Sequence, residues 1–158
     1  MTEFKKPPFA ACPGSAQKQF KVEIENNDSE SRSSQLAQWP VQLMLVAPNA
    51  PYFKNAELVL TADCVPFAYG DYHKDFLKGR PIAVACPKLD NLEFYIEKLA
   101  ELFRVSELKA VEVLVMEVPC CSGLVQATKI ARQKSGLDFP VRITTIGVRG
   151  ENFGSKEI

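Results

Sequence analysis

The run "VEVLVMEV", Val111 to Val118, is the feature that most narrows what this chain can become. It is apolar and β-branched on both of the faces a strand would present, so it needs cover on two sides rather than one. Runs of the same kind recur. "VQLMLVA" spans Val41 to Ala47, "ELVLTADC" ends at Cys64, and "IAVAC" ends at Cys86. "VRITTIGV", from Val141, alternates cleanly and fits an edge strand or one with a wet face. Stretches with helical spacing separate them. In "DNLEFYIEKLAELFR" the residues Leu92, Ile96, Leu99 and Phe103 fall on one side, with Asp90 and Glu93 placed as a capping box. Ser122 stands as a cap for a helix from Gly123 to Lys134 that Gly136 closes. "PYFKNA" reads as a short turn or helix with Pro51 at its first position. "PFAYGDYHKDFLKG" reads as partly helical, with Gly79 at its end.

Doubly apolar strands separated by helices specify an α/β fold, a three-layer sandwich around a mainly parallel sheet of four to five strands. This domain is expected over residues 39–158. Residues 1–38 read as an arm or linker, because "EIENNDSESRSSQ" is polar and unpatterned, with a short strand at "FKVEIE". Trp39 is the expected anchor of the arm to the sheet.

Right-handed crossovers put the C-terminal ends of all parallel strands on one rim, where open α/β sheets build their ligand sites. That rule gives the cysteines a meaning their spacing lacks. Cys64, Cys86, and the adjacent Cys120 and Cys121 each follow a strand. Neighbouring strands lie about 4.8 Å apart, so thiols from three of them can converge on one small object. Each also has a proline neighbour, in "CVP", "CP" and "PCC", which stiffens its loop. Several thiolates without a histidine-rich partner set favour a soft metal, an iron–sulfur cluster of the [4Fe-4S] type or zinc. A helix starting just after Cys121 would stabilise thiolate or sulfide charge. Plain core packing of the cysteines competes with this reading, and so does thiol redox chemistry. Cys12, in "CPGSA", is a further candidate ligand, and the single histidine, His73, a candidate site-lining group or proton donor. Asp63 and Glu117 lie near the expected rim, and Tyr69 and Tyr72 are candidate pocket walls.

Composition excludes other classes. Lys+Arg and Asp+Glu both count 19, so the chain lacks the basic excess that nucleic acid or an anionic membrane attracts. No apolar run reaches spanning length, no signal peptide is evident, and five cysteines, an odd number, fit a reducing cytoplasmic setting better than a disulfide framework. There is no glycine-rich phosphate loop, hence no nucleotide is expected.

The segments "CPGS", "SQLAQWPVQLMLVAPNAPYFKNAELVLTADCVPFAYGDYHKDFLKGRPIAVACPKLDNLEFYIEKL" and "MEVPCCSGLV" resemble the C-terminal α/β domain of ferredoxin-associated iron–sulfur cluster-binding oxidoreductases of anaerobic microbes. The chain departs from that family in lacking the two-cluster ferredoxin module. The resemblance implies a cluster or metal site at Cys12, Cys64, Cys86, Cys120 and Cys121, and electron transfer with a ferredoxin-like partner. Three ligands instead of four would leave an open iron, as in a sulfur-handling enzyme. A zinc-thiolate assembly module is the alternative from a different class.

Overall fold

The computed structural model describes residues 18–21 and 32–158. Two short strands, β1 (Lys18–Gln19) and β2 (Gln38–Trp39), pair antiparallel at its margin. The main sheet holds β3 (Glu57–Ala62), β4 (Ile82–Ala85), β5 (Ala110–Met116), β6 (Val141–Ile146) and β7 (Asn152–Glu157), in the order β4-β3-β5-β6-β7. The first four of that order are parallel, and β7 is antiparallel to β6. The expected α/β sandwich is therefore the fold.

Helices α2 (Leu92–Ser106) and α3 (Ser122–Ser135) carry β4 to β5 and β5 to β6, both in the same direction along the sheet. Right-handed crossovers then place both on one face, where they pack on each other. The connection from β3 to β4 runs the opposite way and covers the other face. It contains α1 (Val65–Ala68) and a π-helical turn at His73–Leu77. The fully buried Leu58, Leu60, Val113, Leu114, Tyr95, Leu99 and Leu124 mark the core.

Local chemistry sets the ends of these elements. The Asn91 side chain accepts from the Phe94 amide at 3.1 Å and caps α2. Asp90, the expected cap, instead accepts from the Tyr95 hydroxyl. Gly136 closes α3 at φ 71°, the left-handed conformation that suits glycine. Pro51 opens a 3-10 turn at Pro51–Phe53, as read from the sequence.

Three expectations are corrected. Val41–Ala47 is not a strand. Its apolar character reflects burial of Leu43 and Val46, and the amides of Leu45 and Val46 both turn back on the Gln42 carbonyl. Only Gln42 bridges to Val84 of β4. Nor is β6 an edge, since β7 lies outside it. The sequence reading missed β7, "NFGSKE", because it is exposed at every position and carries no apolar pattern. Thirdly, the buried anchor beside the arm is Gln38 rather than Trp39. Its amide group donates to the Ile82 carbonyl at 2.9 Å and accepts from the Ile82 amide at 2.8 Å, mimicking a strand neighbour. "FKVEIE" falls mostly outside the described residues, as does Cys12.

Candidate functional site

The chain leaves β3 toward β4 on one side and returns to β5 on the other. The order therefore reverses between β3 and β5, the position beyond whose C-terminal ends open α/β sheets bind their ligands. Cys64 lies two residues past the end of β3, and Cys120 lies four past the end of β5. The two cysteines flank that reversal. Cys86 follows directly on β4, the other neighbour of β3. Cys121 completes a 3-10 turn, Pro119–Cys121, that leads into α3. All four thiols are free.

They do not stand alike. Cys64 and Cys120 are exposed, Cys86 is half-buried, and Cys121 is buried in the core. The Cys64 thiol donates to the Asp63 carboxylate at 3.4 Å. That bond raises its pKa above the ordinary thiol value, helped by partial burial and by the charges of Asp63, Cys86 and Cys120. Cys121 is also raised, chiefly by burial. A hydrogen bond from the Met116 backbone works against the shift, and the nearby Cys120 and Cys64 add to it. Among the described residues, no three His, Cys, Asp or Glu side chains stand close enough together to hold a metal ion.

The loops beneath the thiols are fixed by contacts that sequence reasoning did not anticipate. The Cys86 amide donates to the Tyr95 hydroxyl at 3.0 Å, and that hydroxyl donates to Asp90. Burial, reinforced by Asp90, pushes the Tyr95 phenol far up, so it remains a donor. At Gly123 an added Cβ would lie 2.9 Å from Pro87 Cβ and 3.7 Å from Leu92. The start of α3 therefore rests on the Cys86–Pro87 loop, and only glycine allows that approach. Ser122 does not cap α3 as expected. Its hydroxyl donates to the Pro119 carbonyl at 2.8 Å, and no side chain caps the first turn. The Ser122 amide is taken by the Pro119 carbonyl of the preceding 3-10 turn, and the Cys121 amide by the Val118 carbonyl.

The remaining candidates have structural partners. His73 Nδ1 accepts from the Gln35 amide at 3.1 Å, tying the arm to the π-helical turn. Glu117 accepts from the Val148 amide at 2.8 Å and holds the turn between β6 and β7. Tyr69 donates to Asp75 at 2.7 Å. Tyr72 is buried against Phe76. Gly150, at φ 90°, brings the same β6–β7 turn against the Ala68 carbonyl, so the hairpin closes the rim beside α1.

Residues 50–158 match the model of a family described as a Rossmann-like domain. An uncharacterized protein of Archaeoglobus fulgidus is 33% identical over 102 residues, covering 65% of this chain and 71% of that relative. No solved structure matches. These matches overturn the resemblance to ferredoxin-associated iron–sulfur oxidoreductases, since neither carries an iron–sulfur or ferredoxin description. Much of what looked familiar belongs to the sheet itself: "ELVLTADC", "IAVAC" and "MEVPCC" are parallel strands running into their C-terminal turns. No helix among the described residues is long and apolar enough to cross a membrane.

Proposed function

We propose that this chain, which belongs to the Rossmann-like domain family, binds a soft-metal centre, an iron–sulfur cluster, through the thiols on the C-terminal rim of its sheet. The observation that carries the reading is that three adjacent strands, β4, β3 and β5, each run into a cysteine on one rim. Cys64 and Cys120, on either side of the strand-order reversal, are the first ligands. Cys86 beside Cys64 and Cys121 behind Cys120 complete the rim.

Asp63 and the neighbouring thiols oppose ionisation of Cys64, so a metal would have to displace the thiol proton against that balance. The thiol-only donor set suits iron–sulfur or zinc, and the N-terminal dipole of α3 favours negative charge beside Cys121. A bound cluster would supply one-electron transfer in a cytoplasmic setting, with a small redox protein as its partner. The protein's own part is to position the thiols and keep their loops rigid.

Iron, acid-labile sulfide and zinc analysis of protein prepared without oxygen tests this directly. Brown protein with iron and sulfide is the expected result, and Cys64→Ser or Cys120→Ser should abolish it while leaving the far-ultraviolet dichroism unchanged. Colourless protein with stoichiometric zinc would move the reading to a zinc-thiolate module. Full metal content in both serine variants would remove the site altogether.

A further inference from the structure

We propose that a cavity at the start of β4, apart from the cysteine rim, binds a small neutral carboxamide, its N–H on Gln35 Oε1 and its carbonyl on Arg80 Nε. Three segments distant in sequence line it: the arm at Gln35, the 3-10 turn at Tyr52 and the loop into β4 at Arg80. The space between them is about 230 Å³, far more than one water molecule needs. The exposed Gln19 and Gly79 stand at its edge.

Two polar atoms of the lining residues, Gln35 Oε1 and Arg80 Nε, are buried without a hydrogen-bond partner among the described residues. Such atoms are rare, because each has given up water without a replacement. Gln35 is 8% exposed, yet one long bond, from Nε2 to the Ser33 carbonyl at 3.4 Å, holds its side-chain amide. Its carbonyl is therefore able to turn into the cavity. The Gln35 backbone is fixed, since its amide donates to His73 Nδ1. Arg80 Nη1 is anchored on Glu112 at 2.7 Å, which steadies the guanidinium and leaves its Nε–H unused. Gln38 has both ends of its amide bonded to backbone, so it contributes wall rather than recognition.

The unmet pair defines the ligand. One acceptor and one donor require a molecule that carries both an N–H and a carbonyl. Charge is disfavoured, because Arg80 is the one charged residue among the described lining residues and Glu112 neutralises it. A carboxylate brings no donor for Gln35 and finds no spare cation. An ammonium leaves Arg80 Nε unmet. A carboxamide serves both, and the Tyr52 ring offers a flat surface to its apolar part. Bound there, it ties the arm to the entry of β4 and stabilises the fold.

The test is titration of the full chain with benzamide, read by the Arg80 Nε–H and Gln35 side-chain amide resonances in proton–nitrogen correlation spectra and by the melting temperature. Both resonances should shift and saturate together, and the melting temperature should rise. Benzoate, benzylamine and benzyl alcohol should bind more weakly by roughly tenfold or more. Gln35→Leu removes an unpaired buried acceptor, so the free protein should melt no lower than the parent, while its benzamide affinity falls roughly tenfold or more. Resonances unmoved by benzamide would leave the cavity to water and overturn the proposal. Benzoate or benzyl alcohol binding as tightly as benzamide would overturn the carboxamide class. Unchanged benzamide affinity in Gln35→Leu would overturn Gln35 as its partner.

Discussion

The two ends of the sheet are built on opposite terms. Where the strands begin, buried polar side chains tie strands together, while Arg80 Nε and Gln35 Oε1 stay buried without a hydrogen-bond partner among the described residues. Gln38 closes both hydrogen bonds of Ile82, and Arg80 pairs with Glu112 at 2.7 Å, their side chains 19% and 10% exposed. The second oxygen of Glu112 accepts from Thr144, whose hydroxyl also bonds Ser155. Where the strands end, thiols face solvent, Phe67 and Leu89 project from the surface, and the first turn of α3 lacks a side-chain cap. At one end side chains bond strand to strand, and at the other they bond loops and turns, as Tyr95 does at Cys86 and Glu117 at Val148. That difference separates a foundation from a working surface.

Substitution at each end should expose the contrast. Glu112→Leu strips the carboxylate from Arg80 and from Thr144, and should cost about 3 kcal/mol in urea unfolding, since a mostly buried guanidinium loses its partner. Converting both, Arg80→Met with Glu112→Leu, should recover much of that loss. A cost near zero for Glu112→Leu would erase the distinction between the two ends. Gly123→Ala comes next, at about 1–3 kcal/mol, because its methyl group meets the rigid ring of Pro87. Unlike Glu112→Leu, it should also displace the Cys86 loop, read as faster alkylation of the half-buried Cys86 thiol in the folded chain. The smallest effect belongs to Tyr95→Phe, about 1 kcal/mol, from the Cys86 amide and Asp90 losing their shared hydroxyl. If Tyr95→Phe destabilised more than Glu112→Leu, the rim rather than the strand starts would be the foundation.

Much of this was legible in the chain. β3, β4 and β5 announced themselves because a strand covered on both faces cannot hide its apolar pattern. The common rim of Cys64, Cys86 and Cys120 followed from strand direction alone. What stayed hidden depends on contacts between loops, which no periodicity encodes. Gly123 against Pro87 and Tyr95 beneath Cys86 are of this kind. Val41–Ala47 misled because burial and extension leave the same apolar signature. β7 stayed invisible for the opposite reason, being solvated on both faces. Ser122 had the residue type of a cap, yet its hydroxyl turned to Pro119 instead.

The reversal of strand order between β3 and β5 also bears on how the molecule comes into being. Cys64 and Cys120 are neighbours in space but lie on either side of β4 and the whole of α2 in the chain. Their meeting is a contact of high sequence separation, and such contacts form late because loop closure must come first. On a ribosome, Cys64 emerges well before its neighbour strand exists, and no rim is present until β5 has threaded in beside β3. Any ligand that needs both Cys64 and Cys120 can bind only after the sheet is complete, so the finished rim reports that the chain has folded.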